Sequence, residues 1–232
     1  MTADPVTADR TGSTGTSARS LRTVPAVGAE LARRPSGYVL ASATLTALGV
    51  RRRLGRVGVQ DAVAVLLVAA AQPFVEWGLH RLVLHGRPRR VVGRTVDPGA
   101  VHRRHHAEPD DVAGLLLGGR FALADAGLAA TAVAAAGAAT APLLGRFPAR
   151  AVATGAAAGV AGLARYEWCH LLVHSGARLR SSRLRRLRAH HMAHHHRDET
   201  RWLGVSSDLA DRWFGTGGDV RLAGSRVARS LA

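Results

Sequence analysis

The chain has 232 residues, 47% of them hydrophobic, and a formal charge of +16 at pH 7. Its single cysteine, Cys169, excludes an intrachain disulfide and a metal site built from cysteines. A strongly basic chain usually has nucleic acid or an anionic lipid surface as its partner. The basic residues here are all arginines, and they cluster at the ends of apolar runs, which favours lipid headgroups.

The first half of the chain holds a polar tail and two apolar segments. Residues 1–34 show no apolar periodicity, so we expect a disordered tail there and a membrane-embedded domain over 35–232. Residues 35–50 are uncharged but short, because a membrane span needs about 20 residues. Residues 61–80 would form a helix about 30 Å long, the thickness of one bilayer core. Pro73 lies inside this helix and is expected to kink it.

A polar, arginine-rich segment follows at 86–118. Asp97 and Pro98 are predicted to start a short helix there, with Asp97 as the cap and Pro98 at the first helical position. Pro109 should stop this helix at about Glu108.

The second half repeats the alternation of apolar and polar segments. Residues 126–145 are an uncharged run of twenty, rich in alanine, and 151–164 begin a helix that we expect to continue to His174. The polar remainder is predicted to hold a helix ending at about Arg197 and a shorter one at 207–214. The chain is therefore predicted to be all-α, with about four transmembrane helices and a cytoplasmic, histidine-rich helical cap.

One loop conflicts with this topology. If the histidine-rich segments face the cytoplasm, the loop at 51–58 lies outside, yet it carries four arginines. The positive-inside rule disfavours such a loop. The longer cytoplasmic segments still carry more arginine overall, so we keep the four-span interpretation.

All twelve histidines lie in four short clusters, which form the candidate site. The clusters have the patterns His-x4-His, His-x2-His-His, His-x3-His and again His-x2-His-His. Residues three and four apart share a helix face, so each trio is predicted to point one way. Ten imidazoles can supply two divalent ions with four or five nitrogens each, and imidazole suits iron, zinc, copper and nickel. The predicted ligands are His80, His85, His102, His105, His106, His170, His174, His191, His194 and His195.

Two details of the clusters leave alternatives open. His80 and His85 are five residues apart, about 140° around an α-helix, so either the helix ends between them or they bind different metals. His190 and His196 flank the last trio but lie off its face, and we do not expect them to be ligands.

Three carboxylates are candidates for supporting the ligands. Glu76 precedes His80 by four residues, and Glu167 precedes His170 by three. Either carboxylate can orient an imidazole by accepting a hydrogen bond from its second nitrogen. The alternative is an ion pair with a neighbouring arginine. Asp211 is a third such candidate, with a cap or an arginine partner as its alternative role.

The clusters and their flanking residues resemble the fatty acid hydroxylase/sterol desaturase superfamily of integral-membrane non-haem di-iron enzymes. The resemblance extends over roughly residues 60–216 and is most specific in Leu-Gly-Val-Ser-Ser and Phe-Gly-Thr, which follow the last cluster. The similar segments are 76–85, 102–106, 166–174, 190–196 and 203–216.

The resemblance implies four transmembrane helices under a cytosolic cap, with two iron ions held by the same ten histidines. It implies O2-dependent hydroxylation of a lipid C–H bond, most readily on a fatty acyl or ceramide-like chain. Sterol or carotenoid hydroxylation and desaturation are alternatives within the superfamily. No histidine is left for a haem, so a separate ferredoxin or cytochrome, with its reductase, would deliver electrons. Zinc can replace iron in purified protein, since it binds imidazole at least as well.

Two other kinds of function are weighed against this one. A non-catalytic membrane metal carrier would place ionisable groups in mid-membrane, whereas the clusters lie at the ends of apolar segments. A nucleic-acid-binding protein would gather its arginines in one polar domain, which the run at 126–145 disfavours. We therefore expect an integral protein of the bacterial cytoplasmic membrane with its metals on the cytoplasmic side, a lipid substrate and no nucleic acid.

Overall fold

The computed structural model describes residues 15–118 and 149–218, together with Val220. The described chain is mainly α-helical, as predicted, and its only strands form one short hairpin. The predicted span at 126–145 lies outside the described residues. The helices are α1 (Val24–Arg33), α2 (Pro35–Arg53), α3 (Val59–Leu79), α4 (Ala100–Ala107), α5 (Val112–Leu115), α6 (Ala149–His174), α7 (Ser182–His196) and α8 (Leu209–Trp213).

The N-terminal segment is more ordered than the sequence analysis predicted. Residues from 15 onward are described, and α1 occupies part of the stretch that we assigned to a disordered tail. Thr23 caps α1 by accepting a hydrogen bond from the Ala26 nitrogen at 3.3 Å. Val27 of this helix is fully buried in a core cluster that also contains Leu171 and Leu172 of α6. The tail prediction is wrong for this stretch because Val27 and Leu31, four residues apart, form an apolar helix face that packs against α6.

Three long helices form the body that carries the site. Helices α2 and α3 both pack along α6, and Leu40 and Val160 are buried between α2 and α6. At the contact between α3 and α6, a side chain at Gly162 would collide with Gln72, whose amide donates to the Gly162 carbonyl at 2.8 Å. The glycine therefore allows close approach of the two helices.

The far end of this body contains a buried ion pair. Arg51 at the end of α2 donates to Asp61 of α3 at 2.7 Å, and Thr154 of α6 donates to the same carboxylate. Arg51 also donates to the Gly55 carbonyl, which fastens the loop between α2 and α3. One of the four arginines in the loop at 51–58 is thus a structural residue whose charge Asp61 neutralises.

Among the described residues, one helical stretch is long and apolar enough to cross a membrane. It comprises Val59–Leu84, and 17% of its most apolar window is buried. Helix α3 retains Pro73 in its interior, as predicted. Much of the apolar surface of this stretch is thus free to contact lipid. Its large exposed side chains include Val65, Leu66, Leu67, Val75, Leu79 and Leu82.

The short helix α4 begins later than predicted. Gly99 is its cap, and the Asp97 side chain pairs with Arg103 instead of capping. A side chain at Gly99 would collide with the Leu84 carbonyl, so this close approach requires a glycine. The predicted end at about Glu108 is correct, since Glu108 is the C-cap.

Candidate metal centre

The first histidine pair is brought together by a change of helix type. After α3 the chain makes a π-helical turn over His80–Leu84, closed by a bond from the His85 nitrogen to the His80 carbonyl at 3.0 Å. The wider π turn places residues five apart nearly above one another, and such turns are frequent at functional sites. The two rings accordingly stack with centroids 5.1 Å apart. The alternative that this pair binds different metals does not fit this arrangement.

The ten histidines predicted as ligands lie in two groups of five. Within each group the candidate ligand nitrogens are all within 4.8 Å of one another. Their function as ligands stays a prediction, but the structure does bring four distant segments together. Group one contains His80, His85, His102, His106 and His194, and group two contains His105, His170, His174, His191 and His195.

Each histidine trio is divided between the two groups. His102 and His106 of α4 belong to group one, whereas His105 belongs to group two. In α7 the pair at 191 and 195 belongs to group two, and His194 belongs to group one. The members four residues apart stay together, and the member in between turns toward the neighbouring group.

The contacts inside each group are compatible with a bound cation. The Nε2 atom of His102 lies 3.0–3.1 Å from three other Nε2 atoms, those of His80, His85 and His106. A neutral imidazole nitrogen offers one proton or one lone pair, so it cannot satisfy three such contacts. Ligand nitrogens at about 2.0–2.1 Å from one ion are also roughly 3 Å apart when at right angles.

Group two has the same pattern. The Nε2 atom of His191 lies 2.9–3.1 Å from those of His170, His174 and His195. Both ring nitrogens of His105 are buried without a hydrogen-bond partner among the described residues. Buried polar atoms of this kind need a partner, and a bound metal ion would supply it.

Backbone carbonyls hold two rings of group one in position. The Nδ1 atom of His80 donates to the Leu203 carbonyl, and that of His194 donates to the Arg201 carbonyl at 2.8 Å. A carbonyl can only accept, so these rings carry their proton on Nδ1. Their Nε2 lone pairs therefore point toward the group, as metal ligands require.

Burial keeps the imidazoles of the two groups neutral. It lowers the pKa of His105 from its usual 6.5 to about 3, and the neighbouring His106 adds to this effect. The pKa of His106 is lowered to about 4, chiefly by burial, although the Glu199 carboxylate raises it. Burial also holds the pKa of His191 well below its usual range. Neutral imidazoles are the form that binds metals.

The three carboxylates proposed as supports bind backbone groups around the site. Glu76 accepts hydrogen bonds from the Val205 nitrogen and from the nitrogen and hydroxyl of Ser206. Asp211 accepts from the Leu203 nitrogen at 3.0 Å. Glu76 therefore does not accept a hydrogen bond from His80, whose Nδ1 donates to the Leu203 carbonyl. Glu76 and Asp211 instead fasten the loop that contains this carbonyl. On the other side, Glu167 accepts from the Leu117 nitrogen at 3.0 Å.

Glu199 is a candidate residue of the site that the histidine pattern did not indicate. Its carboxylate lies 3.3 Å from Nδ1 of His106 and 3.8 Å from Nδ1 of His85, and its side chain is 57% exposed. It therefore faces the outer nitrogens of two group-one histidines from different clusters. Its position three residues after the last histidine was the available signal. The other two histidines, His190 and His196, belong to neither group.

The fold and the site together define a class: a helical protein with a paired polyhistidine centre beside a helix long enough to cross a membrane. The family model described as fatty acid hydroxylase matches residues 65–216, and the chain belongs to this family. The fold is similar to that of full-length Scs7p, in whose structure only the hydroxylase domain is visible, with a TM-score of 0.57 and 21% identity. That match covers 88% of this chain and 70% of the other. No curated protein sequence gives a significant match.

Proposed function

We propose that the protein is a membrane hydroxylase that uses O2 to place a hydroxyl group on a C–H bond of a lipid. The observation that supports this proposal most directly is the pair of adjacent groups of five imidazoles beside an apolar helix. Membership of the fatty acid hydroxylase family supports the lipid class of the substrate. A fatty acyl or ceramide-like chain is the first choice, and a sterol or carotenoid is the alternative.

The donor set fits two iron ions, one in each group. Imidazole nitrogens suit iron, and no cysteine lies in either group. Iron bound by these histidines would supply the activation of O2 that no side chain provides. Zinc fits the same ligands and would occupy the site without this redox chemistry.

The chain's own residues prepare the site. The histidines are largely buried, which excludes water from the reacting region and keeps the imidazoles neutral. The carbonyls of Leu203 and Arg201 keep two lone pairs directed inward. Glu76 and Asp211 hold the loop that contains these carbonyls. The resulting rigidity positions the ligands before a substrate arrives.

The proposed setting is a membrane with the cap on its cytoplasmic side. The spans of this arrangement would be α2, α3 and α6, with the fourth expected at 126–145, which lies outside the described residues. The arginines at the ends of these segments would lie among the lipid headgroups. A separate ferredoxin or cytochrome with its reductase would supply the electrons.

The test is expression of the full chain in host cells supplied with iron and isotopically labelled O2. The lipids of these cells are then analysed. Labelled hydroxyl groups on acyl chains are the expected result, and desaturated or sterol products would reassign the reaction within the family. The His106→Ala variant should abolish the product, whereas His196→Ala, which alters a histidine outside both groups, should retain it. An iron-loaded, reduced protein that oxidises no lipid would overturn the proposal.

A further inference from the structure

The hairpin between the first two histidine clusters has no function in the proposed reaction. It consists of β1 (Arg89–Val91) and β2 (Arg94–Val96), paired antiparallel with Arg90 opposite Thr95. Val92 and Gly93 form the turn, with φ values of 48° and 75°. Two positive φ angles in a two-residue turn are typical of a tight hairpin whose twist matches its strands.

The hairpin carries a concentrated and uncompensated positive charge. Residues 87–96 contain four arginines and no acidic residue. All four are exposed, and none of their side chains forms a hydrogen bond or ion pair with a residue that the structure describes. By contrast, Arg103 and Arg104 of the following helix pair with acidic side chains. The hairpin therefore presents positive charge that an anionic partner could neutralise.

The tip of the hairpin is apolar. Val92 is 97% exposed and occupies a left-handed conformation that β-branched residues rarely adopt. Asparagine or glycine would fit this turn with less strain and with a polar surface. Exposure of the valine side chain to water is unfavourable, and contact with an apolar surrounding would remove that cost.

The hairpin also lies directly after the candidate membrane helix. Leu79 and Leu82 are exposed near the end of that helix, and the four arginines begin five residues after Leu82. The base of the hairpin is held by Arg103, which donates to the Gly86 carbonyl at 3.4 Å, and by Gly99, which packs against the Leu84 carbonyl. The basic surface thus begins where the apolar surface of the helix ends.

We infer that this hairpin binds an anionic membrane surface, with its arginines on lipid phosphates and Val92 at the boundary between headgroups and acyl chains. The inference rests on the membrane insertion in the proposed function, but it does not depend on the reaction. An acidic electron-transfer protein would match the charge alone. The apolar tip and the position beside the membrane helix favour the lipid surface.

The test places a fluorescent label at the tip of the full-length protein in lipid nanodiscs. The label is attached to Val92→Cys in a Cys169→Ser background, although Cys169 is itself buried. In nanodiscs containing anionic phosphatidylglycerol, quenching by aqueous acrylamide should be roughly threefold lower than in purely zwitterionic nanodiscs. Neutralising the hairpin should remove this difference while the metal content is unchanged. That variant carries Arg87→Gln, Arg89→Gln, Arg90→Gln and Arg94→Gln.

A matched control neutralises three arginines at the far end of the helix body, Arg52, Arg53 and Arg56, and should leave the protection intact. A label equally quenched in both kinds of nanodisc would overturn the inference. So would protection that requires an added acidic ferredoxin, because it would assign the hairpin to a protein partner. A chain that stays in solution without detergent would refute membrane insertion itself, so that failure is distinguishable from failure of the hairpin alone.

Discussion

The ring of His106 stacks on the ring of His195, with centroids 4.2 Å apart and planes inclined by 26°. His106 belongs to group one and His195 to group two, so this contact joins the two candidate metal sites. The two candidate sites are thus separated by their own candidate ligands. A change in either ring is expected to affect both sites, because closely packed residues in one network do not act independently.

Neighbouring histidines of α4 should bind different metal ions. The His105→Ala variant removes a ligand from group two only, and His102→Ala removes one from group one only. Each variant should therefore lose one metal preferentially and fall from two ions per chain toward one, with activity reduced at least about a hundredfold. Metal analysis by mass spectrometry, with a spectroscopic signature for each ion, measures this.

The control for these variants is His190→Ala, which alters a buried histidine outside both groups. It should keep two metals per chain. The division of the trios would be refuted if His105→Ala and His102→Ala both depleted the same ion.

The Glu199 carboxylate should strengthen metal binding in group one. It lies beside the outer nitrogens of His85 and His106, where a negative charge favours a proton on Nδ1 and a more basic Nε2. Glu199→Gln should lower the metal affinity of group one by roughly 10-fold, the lower end of such effects because the side chain is half exposed. Competition with a chelator measures the affinity.

The matched control is Glu108→Gln, an exposed carboxylate that pairs with Arg104 at the end of α4. It should leave chelator competition unchanged. Equal metal release from the Glu199 variant and the wild-type protein would show that the carboxylate does not act on the ligands.

Glu76 should be a stability determinant that also acts on the site. Glu76→Ala leaves the Val205 and Ser206 nitrogens without their acceptor in a buried place. Unsatisfied buried donors cost about 1–3 kcal/mol each, so we expect these two nitrogens to lower the free energy of unfolding by about 2–6 kcal/mol. The loosened loop should also weaken metal binding, because its Leu203 carbonyl holds His80.

Thermal unfolding of the metal-free protein in detergent gives the stability change. Glu108→Ala is the comparison, since the exposed Glu108 pairs with Arg104 four residues before it and contributes about 0.5 kcal/mol. If the two variants unfold at the same temperature, Glu76 is not the fastening residue that its contacts indicate.

Acid should release the metals and destabilise the folded protein around the two histidine groups. Burial lowers the pKa of His105 to about 3 and of His106 to about 4, so the folded protein binds fewer protons than the unfolded chain below pH 6.5. These groups do not affect stability above about pH 6.5, and stability falls as the pH decreases from there, by up to about 1.4 kcal/mol per pH unit for each.

Protons and metal ions compete for the same nitrogens, so metal retention should decrease over the same interval. Titration from pH 8 to pH 5, with metal content and unfolding temperature recorded together, measures both effects. His196→Ala, which changes the exposed histidine beside the last trio, should follow the wild-type curve. A pH-independent unfolding temperature across this range would contradict the buried, neutral state of the imidazoles.

The sequence by itself determined the helical class, most of the helix limits and the ten histidines that meet at the site. These are local properties, since spacing along a helix places His170 beside His174, and prolines and caps limit the helices. Tertiary structure decided what depends on distant partners. Packing on α6 ordered the segment around Val27, and a π turn united His80 with His85. Tertiary structure also placed His105 in a different group from His102 and His106. A spacing of three or four residues predicts a shared helix face. It does not show which neighbouring helices supply the other histidines of each group.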